Sequence, residues 1–429
     1  ARKPRATPGT ASTPPAAGVV PQNARYTRME DEKDDWDPNA TVGERLWALV
    51  TKRLIVEFFG MFFIALVSSQ CAAFTTSLTM AALTFTAASA SGAHFSPAIS
   101  LAYVSLGALQ PMPALAYYLF QTLGALFGLL TASALFEPEA ALAASKLPPL
   151  GTPAAIALVA PTLIYTLVHL SVLSEGKRTQ FFGLAVGFAL YAGLVAHGEA
   201  SGSACLLNPA LALANWLGSF LVLGGSSSPL VMPGLTPSTN PIINQLLFLA
   251  LTGTVAAVAS KLFEACNAAG SKAASLLTEL VGTYLSCLLV VATADEGREL
   301  SAQAVGLGIG ALSYFGGEVS EAHYNPIVSL AHALTGSLPR DELPAYLGVQ
   351  LAGSLAASYT AGFLVHEVLP TQTLAADEML STVGLNTILF GLLVAFVHLS
   401  VFGAQGGKDK SEANGFYGYA VGFAYVAGI

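Results

Sequence analysis

Residues 114–135, 153–174 and 241–260 of this chain contain no Asp, Glu, Lys or Arg side chain, and each stretch is at least twenty residues long. The hydrocarbon core of a bilayer needs about 20 apolar residues per spanning helix, and soluble proteins seldom contain charge-free helices of that length. Only 10% of the residues are charged, whereas soluble globular domains carry about 25%. The sequence therefore predicts an all-α polytopic membrane protein.

Apolar segments of spanning length occur along most of the chain. The first series lies at 54–73, 77–93, 114–135, 153–174, 179–198 and 241–262. After a linker at 263–275, the second series lies at 276–294, 301–317, 343–366, 379–402 and 414–429. The region 1–50, rich in Pro, Ala, Thr and charge, is predicted to be a disordered tail with an amphipathic lead-in.

The two series are copies of one unit. VHLSV at 168–172 returns at 397–401, an offset of 229, and FFGLAVGFA at 181–189 returns as FYGYAVGFA at 416–424. Such self-similarity indicates a duplicated domain of about 220 residues. We assign a first domain to 51–265 and a second to 266–429. The second is expected to be incomplete, and its gene to continue for roughly 50–80 residues through another Asn-Pro motif, because a helix ending in lipid leaves carbonyls unpaired.

Basic residues are concentrated in alternate loops. They are Arg45, Lys52 and Arg53 before the first span, Lys177 and Arg178 after the fourth, Arg340 after the eighth, and Lys408 and Lys410 after the tenth. Short cytoplasmic loops are enriched in Lys and Arg. All four groups fall on one side of the membrane, which predicts a cytoplasmic N-terminus.

A short polar-Pro motif follows some of the spans. It occurs in SGAHFSPAIS at 91–100, in LLNPALALA at 206–214 and in SEAHYNPIVS at 320–329. Ser or Asn at an N-cap with Pro at the first helical position is a favourable helix start. Each motif is therefore expected to begin a half-helix that enters the membrane and stops, since irregular backbone at that depth is tolerated where it lines a cavity. The motif residues are Ser96, Pro97 and Ala98, then Asn208, Pro209 and Ala210, then Asn325 and Pro326.

These residues resemble the major intrinsic proteins, the family of aquaporins and glycerol facilitators, which carries SGAHxNPA in its first half and NPAR in its second. The resemblance covers roughly 50–429 and includes a Glu-x-x-Gly in the first span and a Gln-x-x-Gly in the third. It implies six-helix bundles with two half-helices per pore, related by an inverted repeat, and a ring of four pores. The lipid bilayer and a small neutral permeant are the implied partners.

The resemblance also implies a pore centre and a filter. Half-helices meeting at Ser96 and Asn208 would place two positive dipole ends at the centre and repel cations. The family's filter Arg is replaced by Leu211. The remaining filter positions implied by the motifs are Thr76, Ala196 and Cys205 in the first domain, with Val305 in place of Thr76 in the second.

Two acidic residues, Glu57 and Glu279, lie within apolar spans. A charge at such a depth is costly and usually functional. By the resemblance, each carboxylate braces a half-helix loop through hydrogen bonds. The alternative is that both reach the membrane interface, because each lies near the start of its span.

The histidines have ordinary structural interpretations beside functional ones. His94 and His323 are expected to orient their loops by hydrogen bonds to the backbone, although a proton relay is the alternative. His169 and His398 are expected to pack in the core with a hydrogen-bonded ring nitrogen. A metal site is not expected, because neither has a second metal-ligating residue at helical spacing. His197 lies one residue from a filter position of the family.

Two functions remain open. The first is a passive channel for water or small neutral solutes such as glycerol, urea or peroxide. The second is a non-conducting membrane scaffold that retains the fold, which Leu211 and Ser96 favour. The sequence contains no nucleophile–base pair, phosphate loop or metal-ligand spacing, so we predict neither an enzyme nor a cofactor, and no nucleic-acid partner.

Overall fold

The computed structural model describes residues 52–136, 142, 152–173, 180–196, 207–223, 241–268, 271–293, 298–364, 384–402 and 417–428. Within these residues the chain is helical and contains no strand. The first repeat holds α1 (Lys52–Ser68), α2 (Ala73–Ala87), α3 (Pro97–Ser105), α4 (Pro111–Leu135), α5 (Thr152–Leu173), α6 (Phe182–Ala196), α7 (Pro209–Leu223) and α8 (Pro241–Cys266). The second holds α9 (Lys272–Ala292), α10 (Arg298–Gly316), α11 (Pro326–Thr335), α12 (Leu343–Leu364), α13 (Gly384–Phe402) and α14 (Tyr417–Gly428).

Every candidate span overlaps one of these helices, and the three polar-Pro motifs begin α3, α7 and α11. The predicted tail 1–50 lies outside the described residues. In the part of the chain that is described, α4, α9 and the segment of α8 from Gln245 are long and apolar enough to cross a membrane, and several shorter helices are apolar. The chain is therefore an all-α membrane protein with short helices between long ones.

Some of the predicted boundaries are wrong. The span predicted over 77–93 lies too far along the chain, because α2 runs from Ala73 to Ala87. Gly92, Ala93 and Phe95 have φ angles of 84°, 50° and 45°, a left-handed region that a right-handed helix does not contain. The linker predicted at 263–275 is too long at both ends, since α8 continues to Cys266 and α9 begins at Lys272.

Each repeat is packed around a close crossing of its first and third spans. In the first repeat α1 lies against α4, and in the second α9 lies against α12. A Cβ added at Gly124 would overlap the carbonyl oxygen of Phe58, and one at Gly353 would lie 2.7 Å from the carbonyl oxygen of Leu280. Small residues allow such backbone approach between membrane helices. The half-helix α3 then packs on α4 and α8, whereas α11 packs between α12 and α13.

The two repeats contact each other mainly through α10, which packs on α5 and α6. A Cβ at Gly308 would lie 2.8 Å from the Cβ of Ala192. The Tyr191 hydroxyl donates a 3.2 Å hydrogen bond to Gln303 Oε1, and the Tyr419 hydroxyl donates one of 3.2 Å to the Phe181 carbonyl. The repeats therefore share one continuous apolar core.

Candidate functional site

The N-termini of half-helices α3 and α7 meet inside the first repeat. The Asn208 side-chain nitrogen donates a 2.6 Å hydrogen bond to the carbonyl of Phe95, which directly precedes the α3 cap. The Asn208 Oδ1 atom accepts a 3.1 Å bond from the Ala210 amide and so caps α7. Both half-helices begin with Pro at the first position, Pro97 and Pro209. Two positive helix ends are thereby held together at one place in the core.

Ser96 occupies the N-cap position of α3 but forms no side-chain cap bond. The expectation that its hydroxyl caps the half-helix is therefore wrong. Oγ lies one bond closer to its own backbone than the Oδ1 of Asn, which reaches the amide two residues on. At the equivalent position of the second repeat, Asn325 Oδ1 accepts a 2.9 Å bond from Ile327. Its Nδ2 donates a 3.2 Å bond to the Tyr425 hydroxyl.

The Glu57 carboxylate is fully buried and joins the α3 loop to two spans. Its Oε1 accepts hydrogen bonds from the Ser91 hydroxyl at 2.6 Å and the His94 amide at 3.0 Å. Its Oε2 accepts from the Phe95 amide at 2.7 Å and from Gln121 Nε2 at 2.8 Å. A buried carboxylate requires donors of this kind, and these four occupy both of its oxygens.

Glu279 makes the same set of bonds in the second repeat. Oε1 accepts from the Ser320 hydroxyl at 2.7 Å and the His323 amide at 2.9 Å. Oε2 accepts from the Tyr324 amide at 2.8 Å and Gln350 Nε2 at 2.9 Å. Both carboxylates are 0% exposed, so neither reaches an interface. Both loops contain non-glycine residues at positive φ, a conformation that surrounding contacts must hold.

The rings of the two loop histidines bond to hydroxyls. His94 Nδ1 lies 3.0 Å from Ser100 Oγ, and His323 Nδ1 lies 3.1 Å from Ser329 Oγ. The expected ring partner, a backbone group, is therefore wrong for both. The half-helix supplies the hydroxyl because its first turn brings the residue six positions later back beneath the ring.

The span histidines, by contrast, bond to the loop backbone. His169 Nε2 lies 3.0 Å from the Ala93 carbonyl, and His398 Nε2 lies 3.3 Å from the Ala322 carbonyl. Both rings are buried. In each repeat the histidine of the fourth span therefore bonds to the loop that precedes a half-helix, to which Glu57 or Glu279 also bonds.

The predicted filter positions are buried where they are described. Thr76, Leu211 and Val305 are 0%, 0% and 1% exposed, and Ala196 is half-buried at the end of α6. Cys205, like His197, lies outside the described residues. Among the residues that are described, Thr76 Oγ1 and Ser96 Oγ are buried without a hydrogen-bond partner.

Sequence spacing missed one histidine. His332, in the last turn of α11, lies with its Nε2 2.9 Å from His398 Nδ1. The signal was present in the internal repeat, because the offset of 229 pairs His332 with Tyr103. Helical spacing alone does not reveal this contact, since the two histidines come from different helices.

An all-α bundle in which two half-helices meet at their N-termini defines a channel-type membrane fold. A family model described as "Major intrinsic protein" matches residues 47–227 and 297–429. The chain belongs to this family and carries it as a tandem duplication.

Curated relatives align with part of the chain. It is 27% identical over 165 residues to aquaporin NIP3-1 of Arabidopsis thaliana, covering 36% of this chain and 51% of the relative. It is 29% identical over 165 residues to putative aquaporin NIP4-1 of Arabidopsis thaliana, covering 36% and 56%. Over 106 residues it is 36% identical to aquaporin-10 of Homo sapiens, covering 23% and 35%. The chain thus spans about half the length of the first two relatives.

Proposed function

We propose that the first repeat is a passive transmembrane channel for water and small neutral solutes, including glycerol, urea and peroxide. The observation that carries this proposal is the Asn208–Phe95 hydrogen bond of 2.6 Å, which holds two half-helix N-termini together. Positive helix ends there oppose the entry of cations and protons. Membership of the family and relatives named as aquaporins support the same class of function.

The polar groups near the half-helices favour a hydrogen-bonding permeant. Ser96 Oγ and Thr76 Oγ1 have no partner within the described residues, although both are buried. An unpaired buried hydroxyl costs about 1–3 kcal/mol. A permeating molecule that forms hydrogen bonds with these two hydroxyls would offset that cost. Apolar side chains around them would not.

Leu211 determines which solutes pass in this proposal. An Arg at that position would present fixed donors and a positive charge, and a Leu presents neither. With Leu in place of Arg, the passage of a carbon-containing solute costs less free energy. Fewer hydrogen-bond donors of the protein are left without a partner while the apolar part of the solute passes. The first repeat should therefore admit glycerol as well as water, and cation exclusion rests on the half-helices.

Stopped-flow swelling of proteoliposomes tests the proposal. Wild type should conduct both water and glycerol above the lipid background, and Leu211→Arg should reduce glycerol flux far more than water flux. The matched control is Leu221→Arg, on the exposed C-terminal part of the same helix α7, which should leave the ratio unchanged. Rapid water flux with glycerol excluded by wild type would contradict the filter argument.

A non-conducting scaffold is the second candidate. The observation that favours it is that Leu211 and Ser96, the two departures from the family's motifs, are both buried in the core of the first repeat. Swelling rates equal to the lipid background for both solutes, from a chain shown to be folded and inserted, would establish this alternative over the channel.

We also propose an assembly of two chains with a four-pore ring, inserted with a cytoplasmic N-terminus. Within one chain, α10 packs on α5 and α6. In the internal repeat, α10 corresponds to α2 of the first domain, and α5 and α6 correspond to α13 and α14 of the second. The surfaces of α2 and of α13–α14 are therefore available for the same kind of contact. Both expose large apolar side chains, namely Phe74, Leu78 and Phe85 on α2, and Leu392, Phe396 and Phe423 on α13–α14. A second chain related by a two-fold axis would pair these surfaces twice.

A further inference from the structure

Three buried histidines converge in the second repeat, and we refer to His323, His332 and His398 as the histidine cluster. They come from the loop before α11, the last turn of α11 and α13. Each offers a ring nitrogen, and these nitrogens lie within 4.8 Å of one another. The ring centroids of His323 and His332 are 4.3 Å apart. Such a concentration of imidazoles within a membrane protein core needs an explanation.

A carboxylate faces the cluster from the same loop. Glu321 Oε2 lies 3.2 Å from His332 Nδ1 and 3.7 Å from His323 Nε2. Within the described residues these two ring nitrogens are buried and have no hydrogen-bond partner of acceptable geometry. The Glu321 side chain is 44% exposed, so it connects the buried nitrogens with the surface of the chain.

The hydrogen bonds around the cluster determine which nitrogens are free. His398 Nε2 faces the Ala322 carbonyl at 3.3 Å and must carry the proton there, which leaves a lone pair on His398 Nδ1. His332 Nε2 lies 2.9 Å from that atom and therefore donates to it. In a neutral ring the lone pair of His332 then lies on Nδ1, which is 3.2 Å from Glu321 Oε2. Two acceptor atoms this close to each other are stabilised by a cation bound between them, either a proton or a metal ion.

The first repeat lacks this arrangement although it shares the fold. The offset of 229 pairs His323 with His94 and His398 with His169, but His332 with Tyr103 and Glu321 with Gly92. In the first repeat the Tyr103 ring stacks on His94 at a centroid distance of 4.5 Å. The two substitutions that distinguish the second repeat are therefore a histidine and a carboxylate, both of which are metal-ligating residues.

We propose that Glu321, His323 and His332 form a binding site for a divalent transition-metal ion of the zinc class. Zinc takes imidazole nitrogen and carboxylate oxygen ligands at about 2.0–2.2 Å, and two histidines with one carboxylate leave a coordination position for water. Small side-chain movements bring the three ligand atoms to that distance. His398 is a positioning residue, because its Nδ1 accepts the proton of the ligating His332 ring as outer ligands commonly do.

Metal binding at this site does not depend on whether either pore conducts. Its ligands lie on the loop before α11 and in the C-terminal turn of α11. A bound ion would fix this loop to the end of the half-helix.

Metal binding to the purified full-length chain in detergent tests the proposal. After removal of metals with a chelator, Zn²⁺ is titrated by calorimetry and Co²⁺ by visible absorption, which reports the coordination of the ion. We expect one Zn²⁺ per chain at this site. Glu321→Gln and His332→Tyr, the latter the residue of the first repeat, should each raise the Kd by at least about tenfold. Circular dichroism and gel filtration establish that each variant remains folded.

Glu318→Gln provides the matched control and should leave the Kd unchanged. Glu318 lies three residues before Glu321 in the same loop and lines a separate cavity with Asn267 and Tyr417. The proposal is overturned if wild type binds no Zn²⁺ or Co²⁺. It is equally overturned if folded Glu321→Gln and His332→Tyr bind as tightly as wild type, or if Glu318→Gln weakens binding as much as Glu321→Gln.

Discussion

Gln121 on α4 donates a 2.8 Å hydrogen bond from Nε2 to the Oε2 atom of Glu57 on α1. This bond joins the first and third spans through the carboxylate that also accepts the amides of the α3 loop. The second repeat reproduces it between Gln350 and Glu279 at 2.9 Å. A half-helix loop is thus stabilised by a buried charge that is itself held by two spans.

Replacing Glu57 should destabilise the first repeat more than replacing an exposed acidic residue does. Glu57→Gln places an amide group among four donors, so at least one buried donor loses its acceptor at a cost of about 1–3 kcal/mol. The measurement is the thermal unfolding midpoint in detergent. Glu264→Gln, which removes a largely exposed ion pair with Lys261, is the control and should shift the midpoint little. Equal shifts for both variants would argue against the bracing role.

Gly124 should not tolerate a methyl group. Gly124→Ala would place Cβ against the Phe58 carbonyl and separate α1 from α4, and overpacking of this kind costs about 1–3 kcal/mol. Gly348→Ala is the matched control, because Gly348 is also helical and has no atom within 4 Å of an added Cβ. That control should be neutral or stabilising by up to about 1 kcal/mol. A thermal midpoint unchanged in Gly124→Ala would contradict the close crossing.

Ser96 should matter for permeation more than for stability. Ser96→Ala removes a buried hydroxyl that lacks a partner within the described residues, so the thermal midpoint should stay the same or rise. If the hydroxyl serves a permeating molecule, water flux in swelling assays should fall. Ser100→Ala is the contrast, because it leaves His94 Nδ1 without its 3.0 Å partner and should lower the midpoint. A loss of stability in Ser96→Ala equal to that in Ser100→Ala would contradict this distinction.

The oligomer should contain two chains. Each chain already pairs α10 with α5 and α6, so two chains complete a ring of four domains with pseudo-fourfold symmetry. Native mass spectrometry from mild detergent measures the mass directly. Phe396→Glu on the 71% exposed position of α13 should shift the population toward single chains, whereas Leu119→Glu on α4, outside the proposed contact, should not. A particle of four full-length chains would rule out this arrangement.

The motif residues were sufficient to place the half-helices. Pro97, Pro209 and Pro326 each stand at the first helical position of α3, α7 and α11, because proline at that position loses no hydrogen bond. Span ends were less predictable, as the early end of α2 shows. The loop that follows has positive φ at Gly92, Ala93 and Phe95, and hydropathy carries no information about that geometry.

The local pattern of residues determined that this chain is a helical membrane protein with two related repeats, since charge-free length and an offset of 229 require no knowledge of contacts. Tertiary structure decided which side chains meet. The hydrogen bonds of His169 and His398 to loop carbonyls, the Asn208–Phe95 bond and the contact of His332 with His398 all join segments far apart in sequence. Such contacts follow from the three-dimensional packing of whole helices, and spacing along one helix cannot express them.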